Sequence, residues 1–344
     1  MKIMGLDIGG ANTDCCIYNI TNNQCELIKT KKEYLPMWNK KDELEDCLER
    51  FKKYEKLDVV IVTTTAELSD GYKSKVEGIM DITQKVMNVF DDEEIFFVTF
   101  HGLKDYEYVK EHPLDMAAAN WIATSHLIAN IKEDCIFMDM GTTTTDIIPI
   151  RDSHEIAEGH SDLERLCSGE LVYTGMLRTN IATIVNQIPV RDTFAGVSSE
   201  LFTISADVYR ILNEITEEEY LCDTPDNKSK DIISCKRRLL RLICAEMDDF
   251  DDEEIVEIAK YIKNEQVTQI SKSLVKVVFK TGIEDVIITN YAKAPICKMA
   301  AEKLGLNVVM LEDYFTKDTI NISPTVGAVQ MYLDEKQPCR KSII

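Results

Sequence analysis

Residues Asp7-Ile8-Gly9-Gly10-Ala11-Asn12-Thr13-Asp14 recur as Asp139-Met140-Gly141-Thr142-Thr143-Thr144-Thr145-Asp146. One offset, 139 − 7 = 132, places Asp7 on Asp139, Gly9 on Gly141, Thr13 on Thr145 and Asp14 on Asp146. Each copy lies between apolar runs: Lys2 to Leu6 and Thr13 to Asn19 around the first, Cys135 to Met138 and Thr145 to Ile150 around the second. Apolar runs joined by a turn of small residues read as a β-hairpin. Two such hairpins in one chain predict a duplicated α/β unit.

The flanking sequence supports this. Strands are expected at 26–30, 58–63, 95–99, 286–289 and 308–311. Helices are expected around 39–55 (Leu44, Leu48 and Phe51 on one face), 70–89, 113–130, 294–304 and 324–333. Pro113 and Asp115 suit the first turn of the 113–130 helix. Residues 200–275 read as mostly helical. The acid run Asp248–Glu254 lacks the central glycine of a calcium loop and reads as a helix N-terminus. Strands alternating with helices give an α/β class. The expected division is a first lobe, 1–131, to which a helix at 323–336 returns. The second lobe is 132–322, carrying a helical insert at about 200–275.

Composition narrows the function. The 344 residues carry 39 Lys+Arg against 60 Asp+Glu, a net charge of −21. Such a chain repels nucleic-acid phosphates and anionic membrane surfaces, so neither is an expected partner. No apolar run reaches the roughly 18–20 residues of a membrane helix. Asp7 interrupts what a secretory apolar segment would need, so the expected location is cytoplasmic. The 11 cysteines contain no C-x-x-C and no zinc spacing, and read as small apolar residues in a reducing compartment.

A Gly- and Thr-bearing hairpin turn exposes backbone N–H groups that bind phosphate oxygens. Asn12, Thr13, Thr142, Thr143 and Thr144 add side-chain donors. The acids Asp7, Asp14, Asp139 and Asp146 cannot bind phosphate directly but can hold Mg²⁺, directly or through water. Matched acid-bearing turns therefore point to a metal–diphosphate group.

The two octapeptides resemble the phosphate loops of the actin, heat-shock chaperone and sugar-kinase superfamily, and most closely its hydantoinase/oxoprolinase branch. A narrower resemblance rests on Thr64–Asp70, Ala119–Ala123, Asp139–Ile150, Gly159–Leu166, Ser168–Gly175 with Arg178-Thr179, and Ser205–Arg210. With these segments the chain is similar to the methanofuran-biosynthesis synthase family from residue 3 to about 335. The resemblance implies two actin-like (ribonuclease H-like) lobes with a helical insertion in the second. It also implies a transferase that joins an (aminomethyl)furanmethyl diphosphate to the phenol oxygen of γ-glutamyltyramine, releasing diphosphate with Mg²⁺ as cofactor.

Under that resemblance, Gly9, Gly10, Asn12, Thr13, Gly141, Thr142, Thr143 and Thr144 would cradle the diphosphate. Asp7 and Asp139 would organise Mg²⁺, supported by Asp14 and Asp146. Arg178 or Arg165 would meet the diphosphate or a substrate carboxylate. Glu170 or Glu67 would take the ammonium of the aminomethyl group or the phenol proton. Asp162, His160 and Lys293 are further candidates on the substrate. ATP-using relatives place a glycine-rich turn after the strand matching 286–289. Here that turn is Asn290-Tyr291-Ala292-Lys293-Ala294, which argues against an adenosine site. An ATP-dependent kinase or hydantoinase-type hydrolase and a non-catalytic actin-like scaffold are the competing expectations.

Overall fold

The computed structural model describes residues 1–22, 24–289 and 295–336. The first sheet contains β1 (Lys2–Ile8), β2 (Asn12–Thr21), β3 (Gln24–Tyr34), β4 (Val59–Thr64), β5 (Glu94–Thr99) and β6 (Gly102–Lys104). Their order is β3-β2-β1-β4-β5-β6. β1, β2 and β3 form an antiparallel meander, and β4 and β5 run parallel to β1. The parallel strands β1 and β4 read as unbroken apolar runs because helices cover them.

The second sheet repeats the plan. β7 (Cys135–Met140) and β8 (Thr145–Arg151) form the hairpin, with β9 (His154–Glu155) and β10 (Leu171–Val172) added antiparallel to β8. A separate hairpin, β11 (Gln187–Val190) with β12 (Thr193–Gly196), follows. β13 (Asp285–Ile288) then returns parallel to β7, and β14 (Asn307–Met310) lies parallel beside it. The order β10-β8-β7-β13-β14 matches β3-β2-β1-β4-β5 strand for strand. Two sheets with this 3-2-1-4-5 order are the ribonuclease H-like duplication of the actin fold, as the repeated octapeptide predicts.

Two helices lie between the sheets. Asn120–Ala129 and Ser323–Lys336 pack on each other, and the latter also packs on β1 and β4. One apolar cluster runs from Ile3, Cys16 and Ile61 through Trp121, Leu127, Val326 and Val329 to Phe137, Ile148 and Ile287. The helix approaches closely because two glycines allow it. A Cβ on Gly5 would stand 2.1 Å from the Thr325 carbonyl oxygen, and one on Gly327 would stand 2.0 Å from that of Ala123.

Between β12 and β13 lie three helices, Ser205–Ile211, Ile232–Arg241 and Asp252–Thr281. The acid run does start the last of them: Asp251 caps it, and its side chain and that of Glu254 form a capping box. Arg238 is fully buried and holds this region together, donating to Asp207 at 2.7 Å and to Asp226 at 3.1 Å. The expected single helix over 113–130 is broken instead. Pro113–Met116 is a 3₁₀ turn, and Ala118 has φ +52°, a left-handed backbone that separates it from Asn120–Ala129.

Candidate active site

The two matched turns close in the same way. Gly9 N–H donates to the Asn12 carbonyl at 2.8 Å, and Gly141 N–H to the Thr144 carbonyl at 2.9 Å. Cross-strand pairing puts Asp7 opposite Asp14 and Asp139 opposite Asp146. The amides of Gly9 and Gly141 are thus used within their own turns. No hydrogen bond among the described residues engages the N–H groups of Gly10, Ala11, Thr142, Thr143 or Thr144. These, with the Asn12 side chain, remain to bind an anion.

The turns are supported from outside. Leu35 N–H and Met37 N–H donate to the carbonyls of Ala11 and Gly10. Behind the second turn, Met176 N–H donates to Gly141, and Leu177 and Arg178 N–H both donate to Thr142. Gly175 permits that contact, since a Cβ there would lie 2.5 Å from the Thr143 backbone. Thr13 and Thr145 are wholly buried, and the Thr145 hydroxyl donates to the Thr174 carbonyl. Both act as wall residues behind the turns.

The four acids divide by position. The second acid of each pair has a cation: Asp14 pairs with Lys32 at 3.0 Å, and Asp146 with Arg165 at 2.7 Å. The first acid of each pair has none among the described residues. Asp7 is half-buried, and its buried Oδ1 lacks a hydrogen bond. Burial pushes its carboxyl up to about 7, with Asp14 and Glu67 adding to the rise and Lys32 opposing it. Asp139 accepts a hydrogen bond from the Thr289 hydroxyl at 2.7 Å. Burial still lifts it to about 6, helped by Asp146. Buried carboxylates without a counter-charge are costly, and such costs concentrate at functional sites.

These observations test the metal expectation. No cluster of three or more acidic, His or Cys side chains among the described residues makes a ready metal cage. The fit is of two uncompensated carboxylates, Asp7 and Asp139, suited to a hydrated Mg²⁺, which keeps several of its waters. Asp14 and Asp146 do not fit the ligand role as well, because each already neutralises a cation.

Other predicted residues separate into free and committed groups. Arg165 is buried, lies 4.6 Å from the centre of the Trp121 ring, and donates to Asp146 and to the Glu170 carbonyl. It positions the second hairpin and is not available to a diphosphate. Glu170 is buried and accepts from the N–H groups of Glu158 and Gly159 and from the Ser168 hydroxyl. A carboxylate with those three donors holds the 158–170 turn and is a poor base or ammonium ligand, so the predicted catalytic role does not fit it. Arg178 is exposed and has no ion pair among the described residues, and its backbone N–H ties it to Thr142 of the second turn. His160 packs edge-on against Phe100, their ring centres 5.3 Å apart. Asp162 opens the helix Asp162–Ser168 and lies 3.9 Å from Lys75, which begins the helix Lys75–Val89 behind the first sheet. Lys293 and the glycine-free turn around it lie outside the described residues.

Glu67 is the substrate candidate that the structure brings to the first turn. It sits in the 3₁₀ turn Ala66–Leu68 directly after β4. That turn is tied to the phosphate-loop strand: Thr65 N–H and the Thr64 hydroxyl both donate to the Ile8 carbonyl. Asp7 Oδ1, Thr13 Oγ1, Asp14 Oδ1, Thr63 Oγ1 and both Glu67 carboxylate oxygens are all buried without a hydrogen bond. Such orphaned groups are rare in folded proteins. Asp7, Asp14 and Thr63 pair side by side on one face of the sheet, and Glu67 is close enough to Asp7 to raise its carboxyl. Asp7, Thr13, Asp14 and Glu67 are all marked by residue type; the Thr63 contribution follows from its pairing with Asp7 in the parallel ladder.

Paired acid-bearing turns on a duplicated ribonuclease H-like fold define the class. The chain belongs to the hydantoinase/oxoprolinase family, whose model matches residues 58–316. It is also 40% identical over 334 residues to the (4-{4-[2-(gamma-L-glutamylamino)ethyl]phenoxymethyl}furan-2-yl)methanamine synthase of Methanocaldococcus jannaschii, covering 96% of this chain and 98% of that one. A synthase of the same name from Methanococcus vannielii is 36% identical over 200 residues, covering 57% of this chain and 89% of that one. Within the hydantoinase/oxoprolinase branch, the chain is therefore a member of this synthase family. Among solved structures, a ROK family glucokinase from Streptomyces griseus in complex with glucose and AMPPNP shares 12% identity (TM-score 0.49; 95% of this chain, 98% of that one). The activator of 2-hydroxyisocaproyl-CoA dehydratase from Clostridium difficile shares 11% (TM-score 0.46; 100% of both chains).

Proposed function

We propose that this protein forms the aryl ether of a methanofuran precursor, joining an (aminomethyl)furanmethyl diphosphate to the phenol oxygen of γ-glutamyltyramine. The observation that carries the reading is the pair of matched turns, each with free N–H groups and one uncompensated buried carboxylate. The relative that is 40% identical is named for a product in which a phenoxymethyl ether links the two halves.

In the proposed reaction, the bond from the furanmethyl carbon to the diphosphate oxygen breaks and the electron pair leaves with diphosphate. The phenol oxygen bonds to that carbon, and the phenolic proton passes to the departing diphosphate. Bound Mg²⁺ would supply positive charge against the diphosphate. The chain's own part is to hold the leaving group still. The N–H groups of Gly10, Ala11, Thr142, Thr143 and Thr144 point their dipoles at it, and Arg178 offers a bidentate guanidinium. Groups fixed before the reaction stabilise the charge that develops on the leaving oxygen without reorganising. Asp7 and Asp139 would hold the hydrated ion, and Lys32 and Arg165 keep their neighbours Asp14 and Asp146 in place.

Incubating the purified protein with both substrates and Mg²⁺, followed by mass spectrometry, tests the reading. The expected product has the mass of the two substrates less diphosphoric acid. Absence of that ether, with tight binding of a non-hydrolysable ATP analogue, would favour a kinase-like role instead. Arg178→Ala should raise KM for the furanmethyl diphosphate about tenfold, the weight of one charge-assisted contact, with little change in KM for the phenol.

A further inference from the structure

Glu67 is 1% exposed, and neither carboxylate oxygen makes a hydrogen bond. The N–H groups of Glu67 itself and Ala118 lie near enough to favour its charged form but do not form bonds of good geometry. Gly78 lets the Lys75–Val89 helix press onto the Glu67 backbone, where a Cβ would meet its Cα at 2.7 Å. The charges around it are mostly negative, Asp7 and Asp162, and the nearby cation Lys75 is directed to Asp162 at 3.9 Å. An acid held in this way lacks a positive hydrogen-bond donor. Absence of a three-acid cage among the described residues makes a directly held metal a poor match. A primary ammonium, with three donors on a small head, matches the unfilled oxygens better.

From this geometry we infer that Glu67 is the residue that recognises the ammonium of the substrate's aminomethyl group. The inference rests on the proposed reaction, whose furan half carries a primary amine in the product for which the relative is named. Glu67 then selects the aminomethyl furan over neutral furans. It also places the furan beside the first turn, where Asp7 and the free N–H groups of Gly10 and Ala11 face the diphosphate. The repeat at the second turn has no such acid, since Glu170 is occupied by its three donors.

The test compares KM for two diphosphates, the aminomethyl furan and its counterpart with methyl in place of aminomethyl. The wild type should prefer the amine by about 10–100-fold, and Glu67→Gln should reduce that preference to about twofold, with KM for γ-glutamyltyramine unchanged. Glu67→Asp keeps the charge and should keep part of the preference, which a purely structural role would not predict. An undiminished preference in Glu67→Gln overturns the assignment. If the wild type makes ether from neither diphosphate, the proposed reaction fails, and calorimetry with furfurylamine against 2-methylfuran then decides the assignment. Binding of the amine alone, lost in Glu67→Gln, supports it; equal binding or none overturns it.

Discussion

Asp139→Asn should lower the rate of ether formation by about 10²–10³-fold, comparable to removing one preorganised group that stabilises a developing charge. The reason is position. Asp139 is one of two half-buried acids at the turns without a cation, and the Thr289 hydroxyl is its one hydrogen-bond donor, among the described residues. The amide of Asn can keep that hydrogen bond but brings no charge to the metal. Asp7→Asn should give a loss of the same size. Stability should move the other way. Asp7 has a folded-state value raised to about 7 from an ordinary value near 3.8. Between those values the folded protein holds a proton that the unfolded chain releases, so stability falls as pH rises from about 4 to 7 and levels above it. The penalty is on the order of 2–4 kcal/mol for a half-buried acid raised this far. Asp7→Asn removes it, so in EDTA the variant should melt above the wild type at pH 8 and close to it at pH 4. Circular-dichroism melts at the two pH values measure this directly. A variant less stable than the wild type at pH 8 would contradict the reading of Asp7 as an uncompensated acid.

Gly327→Val should destabilise the whole protein by about 3 kcal/mol, the upper part of the usual range for overpacking. A Cβ at this position lies 2.0 Å from the Ala123 carbonyl oxygen, on the helix between the two sheets. Backbone cannot move aside as a flexible side chain can, so the Ser323–Lys336 helix must lift. That helix packs on β1, which leads into the first turn. Loss of activity should therefore accompany the loss of stability. Val326→Ala, at the adjacent residue and in the apolar cluster between the sheets, removes bulk without a clash and should cost less than the glycine change. Urea melts of both variants give the comparison.

Much of this was legible in the sequence, and the repeated octapeptide carried most of it. The offset of 132 placed both hairpins in register, and the structure pairs Asp7 with Asp14 and Asp139 with Asp146 as the repeat implies. Residue type also marked Glu67, Arg178 and the turn residues. It did not show which acids have partners. Arg165 and Lys32 lie 19 and 18 residues from the acids they neutralise, distances that only the folded sheet closes. Glu170 looked like a catalytic acid because carboxylates near a phosphate loop commonly are. Its three donors come from a turn whose path no local pattern encodes. The break at Ala118 was likewise invisible: alanine favours helix, and the left-handed backbone there is imposed by packing.

In the proposed reaction the matched turns hold a diphosphate as a leaving group and not a nucleotide as a phosphate donor. The most direct measurement counts diphosphate released per ether formed, with purified protein, Mg²⁺, both substrates and no ATP. One diphosphate should be released per ether, the release lost on adding EDTA and restored by Mg²⁺. Ether formation that needs ATP and releases inorganic phosphate in its place would contradict it.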